Sequence, residues 1–520
     1  MNSELITALH QASIYPHNCL EIEVLETHIS WIILTGEIAY KIKKPVDFGF
    51  LNFTTLAQRK QYCEAELTLN SRSAPDLYLG LVEICGSATQ PALNDNGPVI
   101  EYAIKMKQFA KGQLFNELHQ ANKLQFEHID ELAEQVAAFH SEIQVAKENC
   151  HYGKPGQVYA PMQQNFEQIR ALISDKRQLM QLTQLEAWTE SSYERLSPLL
   201  EKRKRAGFVR ECHGDMHMGN ITLFKQRVTL FDCIEFNDDF RWIDVISDIA
   251  FLVMDFEGHG LPHYANRFLN LYLEHTGDYA GLKLLSFYKA YRAVVRAKIA
   301  LFNRNAPDMN AEKKAQFMTQ YEHYIELAES YSALPNRFML TMNGVSGTGK
   351  STIALRLVDR LGPIRIRSDV ERKRLFSIPV NVHPTPEQAH QVYSEAASHQ
   401  TYEKLANLCA EILDSGLSVI IDATNLMHWQ RQVLQDIANE RGVPVCIAFC
   451  EASMSVIQEW IQKRGLEGID ASDADLNVVF KQIKTLDPLS EEELKQTITI
   501  HSNILEETNL LVSEIKKHLR

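Results

Sequence analysis

The run Gly344-Val345-Ser346-Gly347-Thr348-Gly349-Lys350-Ser351 constrains this chain more than any other. Its glycines let backbone N–H groups turn inward around an anion, and the helix expected from Lys350 adds the partial positive charge of its N-terminus. An apolar strand, 337–343, leads into it, and Gly362-Pro363 stops the following helix at Leu361. Strand, phosphate-cradling loop and helix in this order demand a parallel sheet with helices on both faces. Further strands are expected at 364–367, 418–421 and 445–450, with helices between them. In this loop Gly344, Ser346, Gly347, Thr348, Gly349, Lys350, Ser351 and Thr352 are the expected ATP-binding residues. Ser351 and Asp422, which ends the apolar strand Ser418-Val419-Ile420-Ile421, are placed to hold Mg²⁺. Asp369 follows the second strand and is expected to accept a proton from an acceptor hydroxyl, with Arg372 steadying it or the acceptor.

A second constellation stands upstream. His213-Gly214-Asp215-Met216-His217-Met218-Gly219-Asn220 spells H-x-D-x-x-x-x-N, the catalytic-loop spacing of protein-kinase-like folds. Two short strands follow, 221–224 and 228–231, and then Asp232. In that setting Asp215 would orient and deprotonate a hydroxyl, while Asn220 and Asp232 would hold Mg²⁺. Asp244 and Asp248 are expected to brace the loop through buried hydrogen bonds. Before the loop, residues 21–48 alternate apolar and polar around Gly36-Glu37, as a hairpin does. A helix is expected over 54–72, strands at 77–84 and 100–109, and helices over 113–205 and 242–330. The break at Ser332–Asn336 sets the expected domains at 1–333 and 337–520.

Residues 20–330 resemble the aminoglycoside phosphotransferase and choline-kinase group, whose loop reads H-G-D-x-x-x-x-N. The resemblance implies a strand lysine on the α/β-phosphates paired with a helix glutamate. Lys41 and Lys43 share one face of their strand and either could serve, with Lys41 the first choice; of Glu64 and Glu66, Glu66 is favoured. It also implies a hinge at Gln108–Ala110. Residues 337–500 resemble the P-loop kinases related to polynucleotide kinase, zeta toxins and chloramphenicol phosphotransferase. Here the motifs are GVSGTGKS, the segment Arg367-Ser368-Asp369 with Arg372, and Asp422-Ala423-Thr424-Asn425. That likeness implies Asp369 as general base, a lid over 463–475, and Arg464 meeting the transferred phosphate. The whole chain resembles bacterial fusions of the two. The fold class is therefore a protein-kinase-like bilobal α+β domain followed by an α/β P-loop domain.

The functional expectation is a bifunctional kinase using ATP and Mg²⁺ on small-molecule hydroxyl acceptors. Two other readings accompany it. The P-loop half could phosphorylate 5′-hydroxyl ends of nucleic acid, through a basic groove formed by Arg365, Arg367, Arg372, Lys373 and Arg374. Alternatively, one half could be an ATP sensor gating the other. A net charge of −13 weighs against a general nucleic-acid binder. Nine scattered cysteines without a C-x-x-C pair fit a reducing cytoplasm, and no apolar run is long enough to span a membrane.

Overall fold

In the computed structural model the chain divides into two compact units, Met1–Asp255 with Phe287–Ile325, and Phe256–Ser286 with Glu326–Arg520. The structure describes all residues except 1, 20, 50, 307–308, 334–335, 381, 468–471, 502–506 and 519–520. No helix among the described residues is long and apolar enough to cross a membrane.

The first unit begins with an antiparallel sheet. Its strands are β1 (Glu23–Glu26), β2 (Ser30–Leu34), β3 (Ile38–Lys43), β4 (Tyr78–Ser87), β5 (Gln90–Leu93) and β6 (Val99–Lys107), in the order β1-β2-β3-β6-β4-β5. Period-two alternation gives the sheet two apolar faces. One buries Ile33, Tyr40, Ile42 and Val82 with Leu5 and Leu9. The other buries Ala39, Tyr78, Ile104 and Met106 with Cys63. Cys63 comes from helix Leu56–Asn70, which opens on a Thr55–Gln58 capping box. β5 and the N-terminal helix Asn2–Ala8 were not among the sequence expectations.

The rest of the unit is mainly helical, with β7 (Val209–Glu211) and β10 (Trp242–Asp244) paired antiparallel. Between them β8 (Ile221–Phe224) and β9 (Arg227–Leu230) form a hairpin. Its two turn residues, Lys225 and Gln226, both have positive φ, 52° and 63°. This is the backbone a two-residue hairpin requires, here adopted without glycine or asparagine.

The second unit holds a five-stranded parallel sheet of β11 (Met339–Asn343), β12 (Ile364–Arg367), β13 (Val419–Asp422), β14 (Val445–Glu451) and β15 (Thr497–His501). Their order is β12-β13-β11-β14-β15. Leu340, Met342, Ile420 and Ala448 pack beneath helix Lys350–Leu361 through Ile353, Leu357 and Val358. The edge strand β15 was not expected from sequence.

This division departs from the single boundary expected at 333–337, of which Leu334 and Pro335 lie outside the described residues. Residues 256–286 go with the second unit. Helix Pro262–Thr276 packs on helix Lys350–Leu361 and on β12. Asn270 explains part of this, its amide donating to the Pro363 carbonyl at 3.1 Å and accepting from the Arg365 N–H at 2.6 Å.

Candidate active sites

In the first unit the sheet delivers two buried lysines to one carboxylate. Lys41 and Lys43 lie two apart on β3, so both side chains leave the same face. Helix Leu56–Asn70 brings Glu66 between them. Glu66 Oε1 accepts from Lys41 at 2.8 Å, and Oε2 accepts from Lys43 at 2.6 Å. Lys41 also pairs with Asp232, and Lys43 with Glu235. Burial alone would drive the Lys41 ammonium down, but Asp232 and Glu66 together raise it well above the usual lysine range. Burial likewise works to raise the Glu66 carboxyl; Lys41 and Lys43 outweigh it and hold Glu66 at about 2. Glu64, the alternative helix glutamate, is exposed.

The loop 213–220 is fixed from below. Asp248 accepts from the backbone N–H of His213 at 3.0 Å and of Gly214 at 2.8 Å, and faces His140 at 3.1 Å. Asp255 accepts from the Met218 N–H at 2.9 Å and from Arg296 at 2.8 Å. Arg292 donates to the Gly214 carbonyl at 3.1 Å. Asp244 does not brace this loop as expected. It pairs instead with Arg203 at 2.7 and 2.9 Å, which locks β10 to helix Lys176–Arg205.

On the open side, the Asn220 amide donates to the Asp215 carbonyl oxygen at 3.0 Å and to its carboxylate at 3.1 Å. Asn220 is tied to the end of β9 by a 3.1 Å bond from the Phe231 N–H, one residue before Asp232. Asp232 itself takes φ 66°, a left-handed backbone that aspartate adopts more readily than most side chains. His217, which the sequence did not single out, stands 3.5 Å from the Asp215 carboxylate. Burial works to raise the Asp215 carboxyl, while His217 and Arg296 hold it below the usual carboxylate range. At the expected hinge, the Gln108 side-chain oxygen accepts from the Gly36 N–H at 2.9 Å.

In the second unit the loop Gly344–Ser351 joins β11 to its helix. Gly344 has φ 133°, and a Cβ there would lie 2.5 Å from the Cys450 carbonyl oxygen, so no side chain fits. Gly347 and Gly349 also take left-handed backbones. Thr348 donates to the Val345 carbonyl at 2.9 Å, and Lys350 donates to the same oxygen at 2.7 Å. Burial lowers the Lys350 ammonium. The Ser346 N–H donates to Gln482 at 2.7 Å, a partner with no signal in the sequence. Thr352 is exposed on the first helical turn.

Ser351 donates to Asp422 Oδ1 at 3.2 Å. Asp422 Oδ2 is buried and has no hydrogen-bond partner. A hydroxyl beside an unsatisfied buried carboxylate oxygen is a donor set suited to a hard divalent cation such as Mg²⁺. Asn220 and Asp232 offer similar oxygen chemistry in the first unit.

Asp369 stands one residue into helix Ser368–Leu375. Burial raises its carboxyl, partly offset by Arg372 and Arg367, and the Ser472 hydroxyl bonds to it. Arg372 donates to the Val392 carbonyl at 3.1 Å. Arg464 donates to the Ala474 carbonyl. Part of the expected lid, 468–471, lies outside the described residues.

The five basic residues expected to line a nucleic-acid groove are engaged internally. Arg365 and Arg367 pair with Glu274 at 2.8 and 2.9 Å. Lys373 donates to the Val380 carbonyl at 3.0 Å and faces Asp473 at 3.4 Å. Arg374 pairs with Glu371 and donates to the Glu274 carbonyl at 2.6 Å. With Arg372 on Val392, each of the five has a partner within the chain.

Residues 94–285 match the family model of the phosphotransferase enzyme family, and residues 339–489 match that of an AAA domain. The chain is a kinase. It carries a protein-kinase-like phosphotransferase domain and a P-loop domain in tandem. An uncharacterized protein of Mycobacterium tuberculosis is 29% identical to this kinase over 453 residues, covering 87% of this chain and 88% of the relative. A UPF0200 protein of Aeropyrum pernix is 31% identical over 91 residues, covering 17% of this chain and 48% of that protein. Among solved structures, an amicoumacin kinase aligns with 63% of this chain and 96% of its own, at 12% identity and a TM-score of 0.40. A gluconokinase from Sinorhizobium meliloti aligns with 35% of this chain and 96% of its own, at 19% identity and a TM-score of 0.25.

Proposed function

We propose that this kinase is bifunctional, each unit binding ATP with Mg²⁺ and transferring the γ-phosphate to a hydroxyl of a small-molecule acceptor. One observation supports this above the rest: each unit gathers a buried lysine, a cation-ready acid and a further carboxylate in one place. In the first unit these are Lys41, Asp232 and Asp215. In the second they are Lys350, Asp422 and Asp369.

Phosphoryl transfer needs positioning and charge neutralisation more than covalent chemistry from the protein. Lys41, held by Glu66, is the group that grips the donor phosphates, and Asp215 orients the acceptor hydroxyl. As the new O–P bond forms, that hydroxyl's proton passes to Asp215; the bond to the bridging oxygen breaks and ADP leaves with its electron pair. Asn220 and Asp232 would hold Mg²⁺, which supplies charge neutralisation at the phosphates. In the second unit Lys350 and the backbone of 344–351 grip the phosphates, and Ser351 and Asp422 would hold the metal. Asp369 receives the hydroxyl proton, with Arg372 steadying the acceptor and Arg464 meeting the transferred group.

The reading is tested by nucleotide stoichiometry and turnover. The intact chain is expected to bind two ATP analogues, and Lys41→Ala and Lys350→Ala are each expected to bind one. Asp215→Ala and Lys350→Ala should each abolish one phosphorylation activity in a metabolite extract supplied with γ-labelled ATP. If neither Asp215→Ala nor Lys350→Ala changes ATP binding or turnover, the proposal is wrong.

A further inference from the structure

The strand β12 reads Ile364-Arg365-Ile366-Arg367, so alternation sends two guanidinium groups to one face of an edge strand. That face is shared with the carboxylate expected to hold the metal, because Arg367 stands in register with Asp422 of β13. Arg365 Nη1 lies 3.9 Å and Arg367 Nε 3.8 Å from Asp422 Oδ2. Neither hydrogen-bonds to Asp422, whose buried Oδ2 has these two guanidinium groups at ion-pair distance but no hydrogen-bond partner. A carboxylate so close to two guanidinium groups would ordinarily be captured by a forked pair of N–H bonds.

Glu274 prevents this. Its Oε2 accepts from Arg365 at 2.8 Å and its Oε1 accepts from Arg367 at 2.9 Å, one oxygen for each guanidinium. The helix carrying it, Pro262–Thr276, is anchored independently. Asn270 binds the Arg365 and Pro363 backbone, Arg267 meets Asp359 at 3.3 Å, and the Glu274 carbonyl accepts from Arg374 at 2.6 Å. Burial works to raise the Glu274 carboxyl, but Arg367 and Arg365 hold it at about 2, so it stays ionised at neutral pH. Glu274 also lies outside the residues that match the AAA family model, 339–489.

We propose that Glu274 is a positioning residue of the P-loop site, which keeps Arg365 and Arg367 from hydrogen-bonding to Asp422 and so leaves that oxygen available to a divalent cation. This rests on the reading that the P-loop half binds nucleotide with a divalent metal. Once Glu274 is neutralised, two guanidinium groups within about 4 Å close on Asp422 and compete with the metal for the same oxygen.

The test uses the full chain carrying Lys41→Ala, so that only the P-loop site reports. Binding of a fluorescent ATP analogue is titrated with Mg²⁺, and Mn²⁺ binding is followed by electron paramagnetic resonance. Glu274→Gln is expected to raise the metal midpoint about tenfold or more, as loss of an outer-sphere partner does. Glu274→Asp should shift it in the same direction by less. Adding Arg367→Leu to Glu274→Gln removes the competing charge and should bring the midpoint back most of the way. Denaturant unfolding of the same variants separates this rescue from relief of a stranded guanidinium, which would restore stability without moving the metal midpoint of the folded site. An unchanged midpoint in both Glu274 variants, or a double variant as weak as Glu274→Gln, overturns the inference. If the parent chain itself shows no metal-dependent binding that Lys350→Ala abolishes, the reading of the P-loop half fails, and the role of Glu274 with it.

Discussion

Glu66 sits between two ammonium groups, and its removal would strand both in the interior. Lys43 is wholly buried and Lys41 nearly so. Breaking a buried ion pair by removing one partner typically costs about 3–5 kcal/mol. Glu66→Ala is therefore expected to lower the stability of the first unit by that order, measured by denaturant unfolding, and to abolish its nucleotide binding. At this scale the sequence left Lys41 and Lys43 open for a physical reason: a period of two puts both on one face. What separates them is a third partner far along the chain, Asp232 for Lys41 and Glu235 for Lys43. The segment that follows the β8–β9 hairpin carries that difference, and no local pattern announces it. Gln482, which holds the Ser346 N–H, was equally illegible.

At the scale of elements, the loop 213–220 depends on helix Val245–Gly258 more than on its own residues. Asp248 occupies the backbone donors of His213 and Gly214, and Asp255 that of Met218. Asp248→Ala leaves two buried N–H groups unpaired, each costing about 1–3 kcal/mol. It should abolish the first activity while nucleotide binding to the P-loop site persists, which a stoichiometry of one analogue per chain would show. The sequence pointed to Asp248 as a brace but also to Asp244, because both lie in one apolar run. Arg203 is what claims Asp244, from a helix more than thirty residues upstream. The parallel strands β11 to β14 were readable because apolar runs alternate with helices. β15 was not, since its Thr497, Thr499 and His501 face outward and only Ile498 and Ile500 are buried. The pairing of the β12 arginines with Glu274 was not legible, because Glu274 stands some ninety residues earlier.

Across the whole molecule the two sites should respond differently to acid. Asp215 is held below the usual carboxylate range and Asp369 above it. A reaction that needs an ionised carboxylate is lost as pH falls through that group's pKa. The P-loop activity is thus expected to decline first on acidification, and the first activity only at lower pH. Turnover against pH in Lys350→Ala and in Lys41→Ala reads the two limbs separately, and the reverse order would refute the assignment of the bases. The domain plan was legible as two folds in sequence. It was not legible as two bodies, because residues 256–286 continue the helical rhythm around them and only packing assigns them to the second unit. The chain therefore passes from one unit to the other three times, after Asp255, Ser286 and Ile325. On the proposed function, single-site mutation can silence either activity, but a gene split at one point cannot release both units intact. Any lineage that parts with one activity would do so by decay in place, with the idle body retained.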